Sequence, residues 1–324
     1  IDIIIVTSGA IALGCKFLKI NRKNLKVKEF QAVSAIGQIE LINLFKNCLS
    51  KKNLKIAQIL LTLDDTEDRR RALNAKDTVE NIFKMKAIPI VNENDTTATN
   101  EIRYGDNDRL AARVAQIMSA DTLIMLSDID GLYTQDPTKF KNAKHIKKVT
   151  KITDEIIKSA TKSISDYGSG GMITKIDAAK ICMNAGCKMI LTKGSMNNPI
   201  KSLEKNKFCT IFMPHINKYN AKKKWILSSI KNKGSIIADN GAINAIKKGK
   251  SLLPVGIADV NGKFNRGDTV LVLNKSKNKI GTGVVSYSSD EIMKIKGAKS
   301  ENIKKIIGYS SRGEVIHIDN MVIN

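Results

Sequence analysis

Apolar residues run along this chain in two alternating rhythms. Short β-branched runs, such as Ile3-Ile4-Ile5-Val6 and Ala87-Ile88-Pro89-Ile90-Val91, have the continuity of strands buried on both faces. Residues 30–49 instead set Val33, Ile36, Ile39, Leu41, Leu44 and Phe45 at helical spacing. Further strands are predicted at residues 56–63, 122–126, 187–192 and 209–212, and further helices at 71–85, 110–118 and 176–184. Strand and helix alternate, which predicts an α/β fold with a doubly wound, mostly parallel sheet.

From residue 234 the rhythm changes to short β segments at 235–238, 256–260, 269–273 and 283–287. A helix-like insert at 239–248 and a tight turn at Asn265-Arg266-Gly267-Asp268 separate them. This pattern predicts a small β-barrel-like domain of about a hundred residues. The expected division is therefore 1–224 and 234–324, with a basic segment at 213–224 between them. Its densest run, Lys222-Lys223-Lys224-Trp225, is either a solvated linker beside one buried tryptophan or a contact for RNA.

Composition changes this picture little. Basic residues outnumber acidic ones 54 to 31, a formal charge of +23, which ordinarily points to nucleic acid or another anionic surface. The excess is spread over both regions and comes with many Asn and Ile, so it is a weak guide. The five cysteines make no C-x-x-C pair, and the spacing of Cys182 and Cys187 is a poor match to zinc. Reduced thiols packed as small apolar groups are expected, and with them a cytoplasmic location. No run is long and apolar enough to cross a membrane.

The candidate chemistry lies where strands stop. Residues 92–108, NENDTTATNEIRYGDND, set carboxylates and carboxamides at both ends of a Thr- and Gly-containing loop after an apolar strand. Such a loop can hold a small polar ligand; equally, Asn92 to Asp95 can close a strand while Asp106 or Asn107 caps the next helix. Thr7-Ser8-Gly9 ends the first strand and Ser127-Asp128 ends another, the usual position of ligand loops in open α/β sheets. Gly168-Ser169-Gly170-Gly171-Met172-Ile173-Thr174-Lys175 enters a helix, where backbone N–H groups, the helix dipole and the lysine favour an anion. A flexible connection would look the same, and the glycine spacing is not that of a P-loop.

Taken together these segments resemble the glutamate 5-kinase family, an amino acid kinase domain followed by a PUA domain. The resemblance rests on VTSGAIALG at 6–14, DRRRALNAKDT at 68–78, VNEND at 91–95, YGDND at 104–108, GLYTQDP, GSGGMITK and KKWIL. GAINAIKKGKSLLPVGI and GKFNRGDTV extend it through the C-terminal part, so it covers essentially the whole chain. Ser127 and Ser169 stand where threonine is common in the family, and Ile173 where a small residue is usual. The family's first strand, with its glycine-rich phosphate loop and a lysine, is expected before Ile1.

The resemblance implies ATP-dependent phosphorylation of the γ-carboxylate of L-glutamate, the first step of proline biosynthesis. It assigns Lys175 and Asp128 to catalysis, with Asp128 orienting the lysine, and Ser8, Asp95 and Asn107 to glutamate. It assigns Ser127, Asp128, Ser169, Gly170, Gly171, Met172, Ile173, Thr174 and Lys175 to ATP, with Mg2+ arriving on the nucleotide and no metal site on the protein. Feedback inhibition by proline and a homo-oligomer are implied on the same grounds. Two other readings remain: an amino acid kinase acting on acetylglutamate or aspartate, and an RNA-binding PUA protein on a degenerate kinase scaffold.

Overall fold

The computed structural model describes residues 1–22, 25–98, 106–161, 171–203, 208–217, 220–221, 233–309 and 312–323, and it divides into two compact units, Ile1–Lys218 and Tyr219–Asn324. Each unit has its own core.

The first unit begins with β1 (Ile5–Val6), α1 (Ala10–Leu18), α2 (Val27–Ser50), β2 (Lys55–Leu61), α3 (Leu63–Glu67), α4 (Arg69–Lys84) and β3 (Ala87–Glu93). The strands form a parallel sheet in the order β1-β3-β2, with Ile5 opposite Ile90 and Leu60 opposite Asn92. The central strand β3 is the apolar run of the sequence, and Val91 has no exposed surface because α5 (Asp106–Met118) covers it with Leu110 and Val114. Sequence signals set the helix starts: Thr62 and Asp65 form a reciprocal cap on α3, and Asp68 accepts the Arg71 N–H at 2.8 Å to start α4.

The remaining elements are β4 (Thr122–Ser127), β5 (Leu132–Tyr133), β6 (His145–Ile146), β7 (Lys148–Val149), α6 (Asp154–Thr161), α7 (Met172–Asn184), β8 (Lys188–Lys193), α8 (Pro199–Leu203) and β9 (Cys209–Phe212). Four of these strands pair in the order β4-β8-β9-β7, parallel except between β8 and β9. The α/β architecture with mostly parallel pairing is as expected. Helix α7 buries Ile176, Ala179 and Cys182 against Ala112 and Ala115 of α5 and against Met189 of β8. This packing brings the first turns of α5 and α7 together.

Helices α1 and α2 cross closely enough to exclude side chains at two points. A Cβ on Gly37 would stand 1.8 Å from the Ala10 carbonyl oxygen, and one on Gly14 would stand 2.2 Å from that of Val33. Only glycine permits this approach.

In the second unit β10 (Gly234–Ala238), β11 (Ile257–Gly262), β12 (Thr269–Leu273), β13 (Lys279–Val284) and β14 (Met321–Ile323) pair in the order β11-β10-β12-β13-β14. The sheet surrounds a core that includes Ile236, Val272, Tyr287, Ile292 and Ile316, and among the described residues no pairing joins β11 to β14, so the sheet does not close into a barrel. Strand β13 lies earlier than the predicted 283–287. A Cβ at its Gly281 or Gly283 would press on the Val322 carbonyl or the Ile316 side chain. Here glycine serves close packing inside a strand.

Candidate active site

Thr7 continues the β1 ladder by donating to the Val91 carbonyl at 2.9 Å, which leaves Ser8 exposed at the strand end beside β3. After β3 the chain turns sharply: Asn94 donates to the Leu61 carbonyl, and its own carbonyl accepts from Thr97 and Ala98 at 3.2 and 3.1 Å. The turn buries Asp95 to 9% exposure.

The carboxylate of Asp95 accepts the hydroxyl hydrogen of Ser34, a residue of α2 with 0% exposure. Burial pushes the Asp95 carboxyl above the ordinary carboxylate range, and the Ser34 bond pulls it part of the way back. Among the described residues no cation pairs with this carboxylate. Asn92, at 4% exposure, and Asn107, in the first turn of α5, each hold a buried Oδ1 with no hydrogen-bond partner among the described residues. A buried polar atom left this way costs about 1–3 kcal/mol. Asn92 near the end of β3 and Asn107 at the start of α5 thus each carry an acceptor open to a further donor.

The second half of the site is built on α5 and α7. Asp108 Oδ2 accepts from Lys175 Nζ at 3.1 Å and from Thr174 Oγ1 at 2.9 Å. Asp128, the acid expected to orient this lysine, accepts from the neighbouring Ser127 hydroxyl at 2.8 Å and lies exposed beyond β4.

Gly171 caps α7 and accepts from Thr174 N and Oγ1 at 3.1 and 2.9 Å. Among the described residues a Cβ built on it would meet nothing within 4 Å, which leaves an opening at the helix entry. With the helix N-terminus, Thr174 and Lys175, this opening fits a phosphate chain. Met172 and Ile173 are half-buried on the first turn. Ser169 and Gly170 lie outside the described residues, as do residues 99–105 of the polar loop, the Asp106 side chain and Lys222 to Trp225.

Sequence reasoning missed three contributors. Ser34 sits within an apolar helical stretch with no local sign of function. Asn92 was recognised only as part of the loop, and Asp108 only as its last acid. The 68–78 motif proves largely structural in its opening turn: Arg71 pairs with Asp65 at 2.9 Å, and although burial works against the Asp65 charge, Thr62 and Arg71 hold its carboxyl below the usual range.

The profile of the amino acid kinase family matches residues 1–193, and that of the PUA domain matches residues 234–307. The chain is 57% identical over 320 residues to a glutamate 5-kinase of Pelagibacter ubique (strain HTCC1062), covering 99% of this chain and 87% of that protein. It is 49% identical over 321 residues to a glutamate 5-kinase of Paramagnetospirillum magneticum (strain ATCC 700264 / AMB-1), covering 99% and 86%. A glutamate 5-kinase 1 of Mesorhizobium japonicum (strain LMG 29417 / CECT 9101 / MAFF 303099) is 46% identical over 323 residues, covering 100% of this chain and 85% of that protein. The chain therefore belongs to the glutamate 5-kinase family, an amino acid kinase domain joined to a PUA domain.

Proposed function

We propose that this protein transfers the γ-phosphoryl group of ATP to the γ-carboxylate of L-glutamate, giving L-glutamyl 5-phosphate and ADP, the first step of proline biosynthesis. The observation that carries the substrate assignment is Asp95, a buried carboxylate held by a neutral donor and, among the described residues, without a counterion. A substrate α-ammonium completes it, and the unpartnered Asn92 Oδ1 accepts a second ammonium hydrogen. Ser8 and the amide nitrogen of Asn107 donate to the substrate carboxylates.

The nucleophile needs no general base, because a carboxylate with a reference pKa of about 4.3 is already ionised at neutral pH. One of its oxygens forms the new bond to phosphorus as the bond to the ADP oxygen breaks. The site must align two anions and offset their repulsion. Lys175, fixed by Asp108, supplies positive charge at the phosphoryl group. The α7 entry at Gly171 and Thr174 receives phosphate oxygens, with Ser169, Gly170, Met172 and Ile173 completing that border. Ser127 and Asp128 flank the nucleotide from the end of β4.

Mg2+ arrives with the nucleotide, held by its phosphates and by water. When bound it offsets phosphate charge.

Proline carries the same ammonium and α-carboxylate groups and would compete at the Asp95 loop, giving feedback inhibition. Exposed Ile39 and Leu44 on α2 support self-association into a homo-oligomer. No helix among the described residues is long and apolar enough to cross a membrane, and we assign the enzyme to the cytoplasm.

ADP release measured over glutamate, N-acetylglutamate and aspartate tests the assignment. Glutamate should support turnover and N-acetylglutamate should not, because acetylation removes the charge that Asp95 pairs. Equal turnover of the two would overturn the reading.

A further inference from the structure

One face of α2 is written onto the substrate loop. Gln31, Ser34 and Gln38 follow one another at i, i+3 and i+7, the spacing of a single helical face. Gln31 Nε2 donates to the Ala98 carbonyl at 3.2 Å, and Gln38 Nε2 donates to the Glu93 carbonyl at 3.3 Å. Between them Ser34 donates to Asp95 Oδ2. The two glutamines hold backbone on either side of the acid, and the serine alone holds the acid itself. The close crossing at Gly14 and Gly37 ties this face to α1, whose first residues follow Ser8 directly.

We propose that Ser34 is a positioning residue of the ammonium subsite, holding Asp95 by one carboxylate oxygen so that the other is presented to the α-ammonium of the substrate. This rests on the reading of Asp95 as the ammonium partner. A hydroxyl suits the task because it orients the carboxylate without neutralising it. A lysine or arginine there would occupy the charge that the substrate must meet. Oδ1 of Asp95 has no partner among the described residues, while Oδ2 is taken by Ser34.

The bond has a second consequence. Burial raises the Asp95 pKa and Ser34 opposes that rise, and no charged side chain of α2, β3 or the 94–98 turn adds to either effect among the described residues. Without the hydroxyl the carboxyl titrates at still higher pH. The acid limb of kcat/KM for glutamate, which reports ionisation in the free enzyme, then moves upward.

The test is steady-state kinetics of the full-length enzyme for both substrates across the pH range, comparing wild type, Ser34→Ala, the volume-conserving Ser34→Cys and Asp95→Asn. Both serine variants should raise the glutamate KM roughly tenfold, the cost of losing a hydrogen bond to a charged group. Both should leave the ATP KM and kcat nearly unchanged and shift the acid limb to higher pH. If Asp95→Asn raises the glutamate KM while neither serine variant moves that KM or the acid limb, the Ser34 assignment fails alone. If Asp95→Asn leaves the glutamate KM unchanged, the reading of Asp95 falls and Ser34 with it. Equal rises in both KM values, with no shift of the limb, would mark Ser34 as a mere packing residue and also overturn the proposal.

Discussion

Asp108 and Lys175 meet at 3.1 Å across 67 positions of sequence, and their bond joins α5, which follows the 92–108 loop, to α7, which the chain enters at Gly171. The Thr174 hydroxyl shares the same carboxylate oxygen. Lysine carries about 2 kcal/mol of rotamer entropy, so a fixed partner matters for a charge that must meet the transferring phosphoryl group.

Lys175→Met should therefore lower kcat by roughly 10²–10³-fold, the range for losing one electrostatic contact to a transition state. Asp108→Asn should lower kcat in the same direction by a smaller factor, with little change in the glutamate KM. Single-turnover kinetics check this, and a loss confined to the glutamate KM would contradict it.

Gly37→Ala sets two effects against each other. Alanine gains about 1 kcal/mol of helix propensity, but its Cβ would stand 1.8 Å from a backbone carbonyl that cannot move aside cheaply. Overpacking of this kind typically costs about 1–3 kcal/mol and occasionally more, so melting should fall by several degrees. Because the same crossing carries Ser34 and the approach to Ser8, the glutamate KM should rise as well. A variant that melts at or above the wild-type temperature would refute the clamp.

Asp95 should cost stability at neutral pH. Its folded pKa lies above the unfolded value of 3.8, so its ionisation is harder in the folded protein. That cost is full above the folded pKa, fades as pH falls through it, and is gone below 3.8. Asp95→Asn should accordingly raise the melting temperature at neutral pH, with the gain disappearing in acid, while glutamate binding is lost. Equal melting of the two proteins at neutral pH would count against a buried, uncompensated charge.

Glu291 in the second unit should behave oppositely. Burial works against its charge, but the Tyr309 hydroxyl, the Ser288 N–H and hydroxyl, and Arg266 together hold its carboxyl below the usual 4.5. Its contribution is present above 4.5 and is lost as pH falls through the lowered folded value. Calorimetry of Glu291→Gln should show a lower melting transition at neutral pH and a difference that closes in acid. The Tyr309 hydroxyl, pushed up to about 12 by burial and by Glu291, keeps the pair intact through the neutral range.

Much of the fold was legible because its strands are uninterrupted β-branched runs: β9 and β12 lie where they were predicted, and β3 and β4 extend the predicted runs by one or two residues. Strand β13 was predicted a few residues too far along the chain, and its Gly281 and Gly283 serve close packing. The Ser288/Glu291 cap was readable in principle, since a serine three residues before a glutamate announces the helix Ser289–Ile295. The bonds of the site were not readable. Ser34 and Asp95 lie 61 positions apart, and Asp108 and Lys175 lie 67 apart, so no local pattern encodes either contact. Asp128 was marked because it follows a strand, whereas the approach of Asp108 to Lys175 follows from the packing of α5 on α7.

The central claim is that the site makes an acyl phosphate on glutamate. Hydroxylamine traps such a product as a hydroxamate, so the protein should form hydroxamate only when ATP and glutamate are both present, at a rate that Lys175→Met lowers by roughly 10²–10³-fold. Absence of glutamate-dependent hydroxamate from the folded wild-type protein would contradict it.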